Sequence, residues 1–159
     1  MLVEMKRYLI DTFNWNDKAN RQILAKIRQL PSQEEGIKFF SHLINSQNKW
    51  IKRIEAFPND PNLDWWKPIY KPDDLEPEWE KSLKAWLDLI SLKSEEELFQ
   101  DVKWVGFDRG VYTGALKDIA LQLNYHSIHH RAQIQTIIRK QGMEPDFVDY
   151  IGTVYRKLE

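Results

Sequence analysis

The apolar positions of the chain fall into long stretches with helical spacing. In the first, from about Glu4 to Gln29, they recur in steps of three and four, which predicts a helix with one buried face. A second helix is predicted from Glu34 to about Phe57. Between them, Pro31 ends the first helix, and Ser32 with a glutamate three positions on has the spacing of a capping box. The stripe of the first helix is Leu9, Phe13, Asn16, Asn20, Ile23, Ile27 and Leu30.

Two further helices are predicted in the second half of the chain. The third runs from about Pro77 to Leu92, and the fourth from Thr113 or Gly114 to Gly142, a residue that commonly ends helices. The connection that precedes the third helix, residues 58–77, is rich in proline and contains Trp65, Trp66 and Tyr70. Long ordered loops of this kind often cover sites, so we expect it to shade a pocket mouth or to pack on a partner subunit.

The remaining segments are short. Residues 101–113 alternate loosely around two glycines, which predicts a small hairpin or an extended loop. Residues 146–158 are expected to pack back as a short helical segment. Four long helices without a strong strand pattern predict an all-α fold, a four-helix bundle with long connections, as a single domain over residues 1–159.

Composition narrows the class of protein. The chain has a net charge of −1, so no global charge draws it to nucleic acid or to an anionic membrane. It has no cysteine, which excludes disulfides, thiolate metal sites and a cysteine nucleophile. No uninterrupted apolar run reaches membrane-spanning length and no signal-peptide pattern opens the chain, so we expect a cytoplasmic protein. The basic residues Lys49, Lys52 and Arg53 are typical of the solvated side of a helix.

Two helical stripes become polar near their middle. On the fourth helix, apolar residues give way to histidines and a glutamine and then resume, although burying such groups costs free energy unless they find partners. On the first helix, Asn16 and Asn20 interrupt the stripe in the same way. The asparagines fit either a polar pocket or interhelical hydrogen bonds that fix the register. The stripe of the fourth helix is Leu116, Ile119, Leu123, His126, His130, Gln133 and Ile137.

The spacing of the histidines indicates a metal site. His126 and His130 are four residues apart, so their rings project from one helix face and can converge on one ion. The glutamate of the zinc-protease motif H-E-x-x-H is absent. His42 is the one histidine outside this cluster, whereas His129 lies about 100° round the helix and is expected to face outward. The alternative is that these are hydrogen-bonded core histidines without a metal.

The same residues resemble a known family. The run from Asn124 to Gln133, followed by Ile138-Arg139-Lys140-Gln141-Gly142, is similar to the fourth-helix signature of the DinB/YfiT-like superfamily. That signature is commonly N-H-x-x-x-H-R-G-Q followed by a basic residue and a glycine. His42-Leu43 with Trp50 resembles its "H-L … W" stretch, and residues 13–20 resemble its aromatic opening. Two positions depart from the signature: Asn124 is displaced by one residue, and Ala132 replaces a glycine.

The resemblance implies a divalent metal held by His42, His126 and His130, with zinc or nickel expected first. Three imidazoles leave coordination positions open, as in catalytic sites. The superfamily includes transferases that use bacillithiol and isomerases that use mycothiol, so the resemblance favours a metal-dependent thiol S-transferase acting on a small molecule. It also implies a homodimer. The alternatives are a metal-dependent hydrolase, with Asp17 as a weak candidate for the base, and a non-catalytic ligand-binding or stress-response module.

Arg131, Trp15 and Trp50 are expected to have mainly structural roles. Arg131 is expected to form an ion pair with Asp149 that clamps the fourth helix to the tail, although it and Gln133 could also serve the pocket. Trp15 and Trp50 are expected in the core.

Overall fold

A computed structural model describes residues 4–158 of the chain, which are mostly helical. The expectation of a helical chain with a small hairpin before the last long helix is confirmed. In chain order the elements are α1 (Met5–Ile27), α2 (Glu34–Glu55), a 3-10 turn (Pro72–Asp74), α3 (Leu75–Leu92), α4 (Glu95–Leu98), β1 (Asp101–Val105), β2 (Val111–Ala115), α5 (Leu116–Lys140) and α6 (Ile151–Val154).

The four long helices pack around two apolar clusters. Both α1 and α2 pack against α3 and against α5. One cluster gathers the first half of α1 and of α5, including Leu9, Phe13 and Leu123. The other gathers the second half of each, including Ile23 and Ile134. The polar residues in the middle of the α1 and α5 stripes therefore lie between two apolar clusters. A polar group buried there must find its hydrogen-bond partner inside the protein.

Several helix boundaries differ from the sequence prediction. α5 begins at Leu116, because strand β2 continues through Ala115. α3 begins at Leu75, which leaves Pro77 in its first turn, where its missing N–H is not needed. In the tail, α6 is a single turn rather than a longer segment.

The capping box lies elsewhere than predicted. At the start of α2 no side chain caps the helix, and Ser32 instead exchanges two backbone hydrogen bonds of 2.9 Å with the Gln141 side chain. The prediction of a box at Ser32 is therefore wrong. A complete capping box stands at Ser94 and Glu97, where each side chain accepts the other residue's backbone N–H. It opens α4, a turn that the sequence prediction missed.

The hairpin docks on the long connection between α2 and α3. β1 and β2 pair antiparallel from Asp101 opposite Ala115 to Val105 opposite Val111. Asn59 of the connection accepts the Val105 N–H at 2.8 Å and donates to its carbonyl at 3.2 Å. This exchange fixes the hairpin beside α2. Among residues 4–158, no helix combines the length and the apolar character that crossing a membrane requires.

Candidate metal centre

Three histidines meet at the polar layer between the two apolar clusters. His42 comes from α2, and His126 and His130 come from consecutive turns of α5. The Nε2 atom of His126 lies 3.1 Å from Nε2 of His42 and 3.0 Å from Nε2 of His130. His42 and His130 are buried, at 5% and 7% exposed, and His126 is half-buried. The structure thus brings together the three residues that the sequence singled out, as a group that could hold a metal ion.

The hydrogen bonds behind the rings decide which nitrogen carries each proton. Nδ1 of His42 lies 2.8 Å from the Trp65 carbonyl, and Nδ1 of His130 lies 2.6 Å from Oε1 of Gln133. Both oxygens only accept, so each Nδ1 carries the hydrogen and each Nε2 keeps its lone pair. The lone pairs of two rings therefore point at the Nε2 atom of His126.

A hydrogen-bonded cluster accounts poorly for this arrangement. His126 can place one proton on Nε2 and donate it to one neighbour, so the second short N–N contact would lack a proton. A cation satisfies all three lone pairs at once. Three nitrogens about 2.0–2.1 Å from one tetrahedral ion lie roughly 3.3 Å apart, close to the separations found here. The donor set therefore fits a divalent metal.

The acid–base properties of the three rings also suit ligands. The pKa of His126 is lowered to about 4, mainly by burial and in smaller part by the neighbouring His130 and His42 rings. Burial likewise lowers the pKa of His130 to about 4, against a smaller opposing effect of Gln133. Burial also lowers the pKa of His42. All three rings are thus neutral at physiological pH, the state that binds metal.

His129 is excluded from the group by its position on α5. It is exposed, and it does not belong to the group of ring nitrogens that all lie within 4.8 Å of one another. The expectation that it faces outward is confirmed.

The loop of residues 56–71, which follows α2, is held on α2 by a polar stripe that consists of Ser41, Asn45 and Lys49. These side chains recur every four residues and so share one helix face. Ser41 accepts the Tyr70 N–H at 3.1 Å, and Asn45 donates to the Pro68 carbonyl at 2.9 Å. Lys49 donates to two backbone carbonyls of the same segment. The interpretation of Lys49 as a solvated surface residue is therefore wrong, because its ammonium group fastens the loop.

The loop of residues 56–71 brings two tryptophans to the histidines. The Trp66 ring stacks on the His42 ring, with centroids 4.0 Å apart and planes 13° apart. Trp65 supplies the carbonyl that holds the His42 tautomer. Of the two expectations for this loop, shading of the pocket mouth is the one that the contacts support.

An aromatic cavity of about 650 Å³ opens beside His42 and His126. Trp50 lines it, so the expectation that Trp50 is a core residue is wrong in part. The Arg53 guanidinium lies 4.9 Å from the Trp50 ring and 4.7 Å from the Trp65 ring and is 5% exposed, so Arg53 is not a solvated residue either. The other lining residues are Ser46, Leu63, Asp64, Trp65, Trp66, Phe107, Gln122 and Leu123.

Comparison with known proteins agrees with this geometry. The sequence model of the DinB family matches residues 1–157, nearly the whole chain. The chain belongs to the DinB family. No curated protein matches the sequence. Membership of the DinB family and the proximity of the three histidines together allow a metal-binding role.

Arg131 in this DinB-family chain serves a buried network rather than an ion pair. Its Nη1 donates to Oδ1 of Asn16 and Oδ1 of Asn20, both at 2.8 Å, and Asn20 donates to Ser127 at 2.8 Å. Among the described residues, Arg131 and Asp149 form no ion pair, so the predicted clamp is wrong. Burial lowers the pKa of the Arg131 guanidinium to about 10, which keeps it charged at neutral pH. The asparagines thus fix the register of α1 against α5.

Asp17 is committed to other partners. Its Oδ1 accepts from the indole N–H of Trp79 at 2.7 Å and from Nε of Arg21 at 2.9 Å. It does not line the cavity beside the histidines. The structure therefore does not bring this candidate base to the DinB-family site.

Proposed function

We propose that this DinB-family protein is a metal-dependent transferase that joins a low-molecular-weight thiol to a small electrophile. The observation that carries the proposal is the convergence of three imidazole lone pairs at the wall of a cavity large enough for a small molecule. A divalent ion held by three histidines supplies an open coordination position and favours the deprotonated form of a thiol bound there.

The residues of the chain contribute orientation and exclusion of water. The Trp65 carbonyl and the Gln133 amide hold two of the rings in the ligand tautomer. A ligand bound against the aromatic walls would displace water from beside the reacting atoms. In the overall reaction the thiol S–H bond and the bond from the electrophilic carbon to its leaving group break, an S–C bond forms, and the proton departs with the leaving group.

The composition of the cavity wall favours thiol transfer over hydrolysis. A metal-dependent hydrolase needs a general base beside its attacking water. Asp64 is the one carboxylate among the described lining residues, and its Oδ1 accepts the backbone N–H of Trp66. A thiol is acidic enough to need no such base once a cation favours its thiolate.

Elemental analysis of the purified protein tests the metal. We expect about one divalent ion per chain, with zinc or nickel as the proposed identity, since imidazole ligands suit both. His42→Ala and His126→Ala should each lose most of it. His129→Ala is the matched control, because that ring is exposed on the same helix, and it should keep its metal. Equal metal content in all four proteins would refute the site.

Product formation tests the reaction. Metal-loaded protein is mixed with bacillithiol or glutathione and the electrophile 1-chloro-2,4-dinitrobenzene, and the conjugate is followed by its absorbance. We expect turnover that is lost in His126→Ala and retained in His129→Ala. No metal-dependent conjugation with either thiol would contradict the proposed transferase and would leave the non-catalytic binding module as the better explanation.

We further propose that the four long helices form a bundle and that two copies of the chain associate as a homodimer. Support for the dimer comes from an apolar face on the outer side of α1 and α5, where Tyr125 and Ile128 are 58% and 41% exposed beside Tyr8 and Tyr150. The net charge of −1 opposes self-association little. A cytoplasmic location stays a prediction.

A further inference from the structure

The cavity beside the histidines is built from aromatic rings that come from three separate elements. Trp50 comes from α2, Trp65 from the loop of residues 56–71, and Phe107 from the turn of the hairpin. The Trp65 centroid lies 6.2 Å from that of Trp50 and 6.4 Å from that of Phe107, with planes inclined by 52° and 68°. Walls inclined in this way offer both a face and an edge to a further ring, the two contacts that aromatic pairs prefer.

Two of the three charged groups around this cavity form hydrogen bonds within the protein, and the third lies against aromatic rings. Lys49 donates to backbone carbonyls, Arg53 lies against the Trp50 and Trp65 rings, and Asp64 accepts a backbone N–H. The N–H at Nε of Arg53 is buried and has no hydrogen-bond partner among the described residues, but Arg53 is not one of the residues that line the cavity. The interior therefore recognises a ligand by shape and apolar contact, with the histidines at one end.

The hairpin is held firmly enough to form one wall. Asn59 exchanges two hydrogen bonds with Val105 at the end of β1, and the Trp104 ring lies edge-on to Trp50 with centroids 5.2 Å apart. Phe107 itself is 67% exposed, although burial is what large apolar side chains favour. A ligand ring packed against Phe107 from inside the cavity would cover it.

We propose that this cavity selects an uncharged aromatic ring as the body of its ligand, and that Phe107 of the hairpin is a specificity-determining residue for that ring. This inference rests on the proposed function in one respect, since the ring would belong to the electrophile that receives the thiol.

Binding, rather than turnover, tests the inference. The probe is 2-naphthylmethanol, and its comparison ligand is decahydro-2-naphthylmethanol, which has the same carbon skeleton but is saturated and not flat. Isothermal titration of each into the full-length protein as purified gives the two dissociation constants. We expect the aromatic alcohol to bind at least about threefold more tightly, the advantage of aromatic over equally apolar contacts.

Two variants assign the preference to Phe107. Phe107→Ala should weaken binding of 2-naphthylmethanol by about threefold or more and reduce its advantage over the saturated alcohol. Phe147→Ala is the matched control, because Phe147 is 64% exposed and lies on the tail away from this cavity, and it should change neither constant. Equal affinity for the two alcohols in the wild type, no binding of either, or equal effects of the two variants would overturn the inference.

The result is separable from the proposed reaction. Tight binding of the aromatic alcohol without any conjugation would refute the transferase and support the ring preference. Conjugation of small aliphatic electrophiles by a protein that binds both alcohols equally would support the transferase and refute the ring preference.

Discussion

At the scale of single residues, the neutral histidines make the fold sensitive to acid. Folded, His126 and His130 have a pKa of about 4, whereas an unfolded chain restores the ordinary value of about 6.5. Between those values the unfolded chain binds more protons than the folded one, so protonation favours unfolding. The contribution of these groups is therefore fully present above about pH 6.5 and is lost as the pH falls towards 4.

We accordingly expect the free energy of unfolding of chelator-treated protein to fall between pH 6.5 and pH 4 and to be insensitive to these rings above pH 7. Urea denaturation at a series of pH values measures it. The double variant His126→Gln/His130→Gln removes the titrating groups and should flatten this part of the profile. An identical slope in the variant would show that other groups cause the acid sensitivity.

Arg131 is expected to matter for stability rather than for the site. Arg131→Met would leave Oδ1 of Asn16 without its best donor and Oδ1 of Asn20 without any, although both asparagines are buried. One buried acceptor without a donor and a second with only a donor 3.5 Å away should together cost roughly 2–4 kcal/mol of unfolding free energy. Urea denaturation measures the loss, with Arg139→Met, an exposed arginine on the same helix, as the control. A change below about 0.5 kcal/mol in both variants would contradict the role of the network.

At the scale of elements, the polar stripe of α2 connects helix, loop and ligand. Asn45 holds the Pro68 carbonyl, and the same loop presents the Trp65 carbonyl to His42. Asn45→Ala should let the loop move and release the His42 tautomer, and we expect metal affinity to fall by about tenfold, the lower end for groups that orient a ligand.

Competition with a chromogenic chelator measures that affinity, and circular dichroism checks that the helices persist. Lys52→Ala, an exposed substitution on the same helix, should leave affinity unchanged. An Asn45→Ala protein with wild-type affinity would show that the loop holds its position without this bond.

The elements also show what sequence could and could not predict. Periodicity identified the long helices, because each buries a continuous stripe. The polar break in the stripe of the fourth helix identified His126 and His130, whereas His42 was found by elimination and from the family resemblance. Periodicity did not predict α4, because a one-turn helix has no period to detect. The capping box was therefore assigned to Ser32 rather than to Ser94.

Lys49 and Arg53 were wrongly assigned to a solvated helix surface, since a helix pattern cannot show that a loop will cover that side of α2. The partners of Arg131 were missed because Asn16 and Asn20 are more than 100 residues away in sequence and are brought to it only by the packing of the helices.

At the scale of the whole molecule, the outer face of α1 and α5 is the proposed contact between two copies. Exposed aromatic and aliphatic side chains concentrated on one face commonly mark an interaction surface. An isologous dimer would place Ile128 of each copy against the same face of the other. A charge introduced there would be buried without a partner, which disfavours association.

Light scattering after gel filtration measures the mass in solution. We expect the wild type at about twice the chain mass of 19.1 kDa and Ile128→Asp at the monomer mass. Val111→Asp adds the same charge at an apolar position of the hairpin that is 63% exposed, and it should remain dimeric. Because the histidines lie on the opposite, inward side of α5, Ile128→Asp should keep its metal. A monomeric wild type would contradict the dimer while leaving the metal site intact, since all three candidate ligands come from one chain.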